Sequence, residues 1–159
     1  MKPGENTEAV RVLAPPPLIY LAFLAAGLAL HFLWVKLPFF PQAWTGHAAG
    51  WPVMVVAVGL MNWGGLAMRR SGEHPDHGKP TKALVTSGPF SFSRNPLYIS
   101  LTLAYIGLSL VLNSYWPLPL LPLVLVIMNY GVIRREEAYL EELLGPDYRD
   151  YKAKVRRWL

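Results

Sequence analysis

The chain has 159 residues, with 15 Lys and Arg against 10 Asp and Glu, a formal net charge of +5, and no cysteine. Hydrophobic residues make up 53% and charged residues only 16%, whereas a soluble domain carries about 25% charged residues. The length suits one domain, the apolar content excludes disorder, and the absence of cysteine excludes a disulfide scaffold and any thiolate metal site. A basic balance by itself would suit nucleic acid, but the placement of the charges points to a membrane and not to nucleic acid.

The amino-terminal tail carries both charge signs and ends in Pro15-Pro16-Pro17. A helix cannot run through that triplet, but its last proline can open one. Residues 18–37 form the first apolar block, interrupted by His31 and Lys36 and followed by Pro38. With no small-residue cleavage site behind it, this block reads as a retained span and not a signal peptide. His31 is expected to bond a neighbouring helix or face a cavity. The second block is residues 52–68, with Pro52 placed to start it and Asn62 inside. Its Ala57, Gly59, Gly64 and Gly65 offer a small-residue face where another helix can approach closely.

The connection that follows holds Arg69, Arg70, Lys79, Lys82 and Arg94. Its His74 and His77, near Asp76, match no strong zinc spacing, so no metal site is expected. Pro96 is placed to open the third block, residues 97–112. Asn113-Ser114 is a tight-turn signal, which predicts an antiparallel hairpin with the fourth block, residues 116–133. Pro122 is expected to bend that fourth helix. Asn62 and Asn129 read as interhelical hydrogen-bonding groups. A bilayer span takes about 20 apolar residues, roughly 17 to 25. The first and fourth blocks fit, and the second and third fall at the short end.

The tail, residues 134–159, holds seven basic and six acidic residues. Tyr139, Leu140, Leu143 and Leu144 have helical spacing, Gly145-Pro146 breaks it, and Tyr148, Tyr151, Val155 and Trp158 recur on one helical face. This pattern predicts an amphipathic helix on the bilayer interface; a lid over a site at the same end is the alternative. Every basic residue except Lys36 lies in the amino tail, the second connection or the carboxyl tail. These share one side of a four-span bundle, so the positive-inside tendency places both termini in the cytoplasm, with an inner membrane the expected location. The expected fold is an all-α integral-membrane protein: one domain over residues 1–159, about four transmembrane helices, and a cytosolic amphipathic carboxyl-terminal helix.

Chemistry-bearing residues cluster on that cytosolic side. Gly88-Pro89 forms a turn, and Arg94 precedes the third helix, where free N–H groups and the helix dipole also favour an anion. An arginine that binds lipid headgroups is the plainer reading. At the end of the fourth span stand Arg134-Arg135-Glu136-Glu137, four charges that need solvent or partners. Arg134 and Glu137 can pair at i, i+3. No nucleotide-binding glycine motif or nucleophile elbow appears.

The combination is more specific than its parts. The segment from Leu84 through Ser87-Gly88-Pro89-Phe90 to Arg94-Asn95-Pro96-Leu97-Tyr98 precedes a hydrophobic hairpin. Then come Arg134-Arg135-Glu136-Glu137, Gly145-Pro146-Asp147-Tyr148 and Val155-Arg156-Arg157-Trp158. This half of the chain resembles the isoprenylcysteine carboxyl methyltransferase and phospholipid methyltransferase superfamily, integral-membrane enzymes that use S-adenosylmethionine. The resemblance implies that Gly88 and Pro89, Arg94, Asn95, Pro96 and Tyr98, and Glu136 and Glu137 enclose the cofactor. Asn95 stands where the family often has histidine; it keeps hydrogen-bonding capacity but cannot titrate near neutrality, which removes a general-base role there.

S-adenosylmethionine carries a sulfonium, an ammonium and a carboxylate. The resemblance therefore casts Arg94 as the anchor of its carboxylate and Glu137, with Glu136 second, as the holder of its cationic or ribose part. Arg94 and Glu137 are the residues expected to matter most for catalysis, with Arg134 and Arg135 orienting carboxylates or an anionic acceptor. The acceptor is left open between a lipophilic molecule and a small one, and membrane lipids are the surrounding partner. Two rivals stand beside this reading: a membrane scaffold whose charged tail binds lipids or a partner, and a small transporter. The transporter lacks the paired ionisable groups near the midplane that it would need.

Overall fold

A computed structural model describes residues 13–73 and 83–159. His74 and His77, together with Lys79 and Lys82, lie outside the described residues. Among the described residues all regular structure is helical. Helix α1 (Pro16–Leu33) starts on the proline triplet, with Pro15 as its cap residue and Leu18 N–H donating to the Pro15 carbonyl at 2.9 Å. Helix α2 (Ala43–Arg70) has 28 residues, about 42 Å at 1.5 Å per residue. Helix α3 (Pro96–Val111) is shorter, at 16 residues. Helix α4 (Pro117–Met128) passes through a π-helical turn (Asn129–Ile133) into α5 (Arg134–Leu144), so that Pro117–Leu144 forms one 28-residue rod. Helix α6 (Pro146–Lys154) follows after Gly145.

Three of these helices are long and apolar enough to cross a membrane: Pro16–Leu33, Ala43–Arg70 and Pro117–Leu144. Pro96–Val111 is a shorter apolar helix. Large apolar side chains such as Leu21, Trp51, Val55, Val58 and Val126 point outward, as they must when the surrounding solvent is lipid. The chain is an all-α integral-membrane protein.

Packing pairs α3 mainly with α2, and α4 mainly with α1. The tight turn at Asn113 (φ 48°) does join α3 to α4, but each helix of that hairpin takes its main partner from the amino-terminal half. The reason is the small-residue seam on α2. A Cβ on Gly46 would lie 2.5 Å from the Leu110 carbonyl oxygen, and one on Gly50 would lie 2.6 Å from Val111 and 2.7 Å from the Gly107 carbonyl. One on Gly64 would meet Leu97 at 2.7 Å. With Ala57, 2% exposed, these residues let the α3 backbone settle directly against α2.

The expected small-residue face is thus rotated. Gly59 and Gly65 look onto open space, whereas Gly46 and Gly50, ahead of the expected span, complete the seam. Pro52 does not open α2 but is its tenth residue. The helix begins earlier, at Ala43, where Thr45 Oγ1 and Thr45 N–H both bond the Gln42 carbonyl. Asn62 donates to the Val58 carbonyl of its own helix at 2.9 Å and not to another helix, because its side chain is on the outward face.

The core lies between α1, α3 and the α4 rod: Tyr20, Leu24, Tyr105, Val124, Met128, Val132 and Ile133. Its buried hydroxyls are satisfied. Tyr20 bonds Thr102 Oγ1 at 2.8 Å, and Tyr105 donates to the Pro117 carbonyl at 2.7 Å. His31 is buried, with Nδ1 unpartnered; its ring stands edge-on to Phe32.

The carboxyl tail departs from a single amphipathic helix. Helix α6 ends at Lys154, and Val155 already has extended backbone. Val155 and Trp158 therefore do not continue the helical face of Tyr148 and Tyr151. The last residues run back over the start of α3, where Arg94 N–H donates to the Arg156 carbonyl at 2.9 Å. The tail has the position of a lid over the motif end.

Candidate functional site

The Gly-Pro motif is a short 3-10 turn (Gly88–Ser91) lying on α2. Gly88 has φ +61°, where a side chain is strained, and its missing Cβ leaves room for Ala67 and the Trp63 indole, each 3.2 Å from where that atom would be. Pro89 is fully buried. Tyr151 of α6 donates to the Phe90 carbonyl at 2.7 Å, so the tail is fastened to this turn.

Pro96 is the first residue of α3, and Asn95 caps it through its backbone: Tyr98 and Ile99 N–H groups both bond the Asn95 carbonyl at 3.1 Å. The side chain of Asn95 does not cap. It donates from Nδ2 to the Arg157 carbonyl at 2.9 Å. One turn into α3, Tyr98 donates to Glu136 Oε1 at 2.6 Å. That bond joins the two motifs across the bundle.

Arg94 and Glu137 meet. Arg94 Nη2 lies 3.2 Å from Glu137 Oε1, and their side chains are 9% and 8% exposed. Glu137 also receives Arg157, from Nε at 2.9 Å on Oε1 and from Nη2 at 2.7 Å on Oε2. Arg157 Nη1 donates to Asn129 Oδ1 at 3.1 Å. Two guanidiniums thus enclose one buried carboxylate. Among the described residues, Arg94 Nε and Nη1 are buried and have no hydrogen-bond partner. Buried donors are nearly always satisfied, so these two nitrogens mark a place for an acceptor.

Tyr148, 2% exposed, stands beside Arg94 and Glu137; burial, aided by the Glu137 charge and opposed by the adjacent Arg94 guanidinium, pushes its hydroxyl up to about 12. The Arg157 guanidinium is shifted further toward its charged form, chiefly by its hydrogen bonds to Glu137.

The structure therefore brings Gly88, Pro89, Arg94, Asn95, Pro96, Tyr98, Glu136 and Glu137 to one end of the bundle. Arg134 and Arg135 are exposed. The Arg134 guanidinium lies over the Tyr130 ring, 4.3 Å from its centroid, and does not pair with Glu137. The expected i, i+3 pair fails because Glu137 turns inward while Arg134 turns out. Asn129 bonds the tail and not another helix. Arg157 is the functional candidate to which sequence reasoning assigned no role. It stands in a motif segment, but its partner Glu137 is 20 residues away, on the far side of a helix break.

Fold and site together describe an all-helical membrane protein with a charge-paired site at one end of its bundle. The phospholipid methyltransferase family model matches residues 45–147, well over half of the chain. The chain belongs to that family. It is also 48% identical over 64 residues to an uncharacterized protein of Haemophilus influenzae, covering 40% of this chain and 100% of that one. It is 35% identical over 74 residues to the cobalt-zinc-cadmium resistance protein CzcN of Cupriavidus metallidurans, covering 46% of this chain and 34% of that one. Against the protein-S-isoprenylcysteine O-methyltransferase of Saccharomyces cerevisiae it is 35% identical over 97 residues, 57% of this chain and 40% of the yeast protein. The chain thus spans all of the short Haemophilus protein but well under half of the other two. No solved structure matches it.

Proposed function

We propose that the protein is a membrane methyltransferase that takes its methyl group from S-adenosylmethionine and delivers it to a lipophilic acceptor, with a small acceptor as the alternative. The observation that carries this reading is the pair of buried, unpartnered Arg94 nitrogens beside Glu137, in a chain of the phospholipid methyltransferase family. A cofactor with a carboxylate fits donors of this kind.

In this reading Arg94 anchors that carboxylate, with the positive end of the α3 dipole behind it. Gly88, Pro89, Asn95, Pro96 and Tyr98 shape the pocket. Glu136 and Glu137 supply negative potential for the ammonium or for ribose hydroxyls. Glu137 accepts two hydrogen bonds from Arg157 and is ion-paired with Arg94, and a carboxylate offers about four acceptor positions, so acceptor capacity is left for this role. The bound cofactor supplies a methyl group on a positively charged sulfur. The protein's task is then to orient the two reactants in line and to exclude water, and no metal is required for that. Asn95, tied to the Arg157 carbonyl, positions and does not take a proton. We further infer that this end faces the cytoplasm, with both termini, since the basic residues gather there.

Calorimetry with S-adenosylmethionine on detergent-purified protein tests the reading. Wild type is expected to bind saturably, and Arg94→Ala and Glu137→Gln to weaken binding at least about tenfold, the worth of a charged hydrogen bond. Arg94→Lys is expected to fail as well, since a point charge does not replace the guanidinium fork. No binding by folded wild type in nanodiscs would favour the scaffold alternative, in which Arg94→Lys is tolerated.

A further inference from the structure

The side chains beyond α6 have no part in the proposed function, and the segment lies outside the residues that the family model matches. Its main chain is built into the motif. The Arg156 carbonyl accepts Arg94 N–H at 2.9 Å, and the Arg157 carbonyl accepts Asn95 Nδ2 at 2.9 Å and Ser93 Oγ at 3.3 Å. Trp158 packs on the hydrophobic core. A segment held by bonds to three consecutive motif residues and by an aromatic anchor is a wall of the site and not a loose cover.

Each nitrogen of the Arg157 guanidinium makes a hydrogen bond. Nε and Nη2 form a fork on both oxygens of Glu137, and Nη1 reaches Asn129. A fork of this kind fixes the plane of a carboxylate as well as its position. Asn129 and Glu137 are eight residues apart. In an uninterrupted α-helix that separation leaves them about 80° apart around the axis. The π turn at Asn129–Ile133 underwinds the rod between them, and one guanidinium reaches both. Arg94, by contrast, uses one nitrogen on Glu137 and keeps two unpartnered.

We propose that Arg157 is a positioning residue of the cofactor site: steadied by Asn129, it fixes the Glu137 carboxylate, which in turn holds Arg94 by Nη2 and leaves Nε and Nη1 for the anionic group of an amino-acid ligand. The proposal rests on the Arg94 reading above. It predicts a loss specific to the amino-acid arm of the cofactor. A Lys at this position cannot replace the fork, because one ammonium cannot bond both oxygens in the same plane and Asn129 as well.

The test compares S-adenosylmethionine with 5′-methylthioadenosine, which lacks the amino-acid arm, by calorimetry on the full-length protein in detergent. Arg157→Ala and Arg157→Lys are each expected to raise the Kd for S-adenosylmethionine by at least about tenfold, and Asn129→Ala by about threefold. Binding of methylthioadenosine is expected to stay within about twofold, and Lys154→Ala, at an exposed residue of α6, to leave both ligands unchanged. If Arg157→Ala does not fold, Arg157→Lys and Asn129→Ala carry the same comparison. Equal weakening of both ligands would overturn the proposal in favour of a merely structural role. Wild-type binding by Arg157→Lys would overturn it too, and tighter binding by Arg157→Ala would make Arg157 an occluding group. If Arg94→Ala binds S-adenosylmethionine like wild type, the Arg94 reading itself falls and the role of Arg157 falls with it. If Arg94→Ala weakens binding and Arg157→Ala does not, the role of Arg157 falls alone.

Discussion

The two ends of this bundle are closed by different chemistry. At the end away from the motifs, neutral groups do the work. Asn113 bonds both the N–H and the carbonyl of Phe40 at 3.0 Å, Trp116 Nε1 donates to the Val35 carbonyl at 2.8 Å, and Tyr115 N–H bonds Leu37 at 2.9 Å. At the motif end, the buried Arg94 and Glu137 side chains are joined by a half-buried Arg157. Neutral closure satisfies the backbone at little cost. Buried charge is expensive unless paired and hydrogen-bonded, and here every nitrogen of one guanidinium is bonded while the other keeps two buried nitrogens unpartnered. The difference separates an end that only holds the helices together from an end arranged to receive something.

The sharpest way to break that contrast is Glu137→Ala. It leaves the buried Arg94 guanidinium without its carboxylate beside a half-buried Arg157 and is expected to cost about 3 kcal/mol, as well as S-adenosylmethionine binding. Thermal unfolding in detergent and calorimetry read the two effects. A nearly neutral result would mean that water already screens the cluster.

Next in size is the seam between α2 and α3. Gly50→Val would place side-chain atoms where the Gly107 carbonyl and Val111 already sit, with an expected loss of about 2–3 kcal/mol. Gly59→Val, on open space, is expected to change stability by no more than about 0.5 kcal/mol, and the pair can be compared in one melting series.

Asn113→Ala sharpens the comparison from the other end. It removes two hydrogen bonds and leaves a non-glycine residue at positive φ, for an expected loss of about 2 kcal/mol. Cofactor affinity should not move. A change in Kd would show that the two ends are coupled.

The smallest expected effect is alkaline. The Tyr148 hydroxyl is raised from its ordinary value of 10.0 to about 12 by burial. Its contribution to stability is therefore complete below pH 10 and is lost as pH rises toward about 12, because the unfolded chain gives up that proton first. Tyr148→Phe is expected to flatten this part of the stability profile. An unchanged profile would assign the alkaline loss to other groups.

Much of the architecture was legible in the residues. Long apolar blocks can only be helices in lipid, since every backbone group must be satisfied within its own segment. Pro96 marks a helix start, and the proline triplet marks one to within a residue (Pro16 opens α1, not the expected Pro17), for the same local reason, a missing N–H where none is needed. Pro52 misled because a proline near the start of an apolar block looks like a helix opener, whereas the Gln42 cap and the polar residues after it had already begun the helix. The Arg94 and Glu137 motifs were visible as residues at two helix ends; their proximity was an expectation until the bundle closed.

By itself, the sequence determined the class of the fold, the basic end, and which residues carry charge beside the helix termini, because each follows from composition or from contacts within one turn. Only the tertiary structure decided which glycines face a neighbour, that Glu137 turns inward while Arg134 does not, and that Arg157 closes the site from the far side of a helix break. Those outcomes depend on helix rotation, on a π turn that shifts the phase of the rod, and on a chain reversal after Lys154. They are fixed by packing between segments distant in sequence, and no local pattern of residues carries that information.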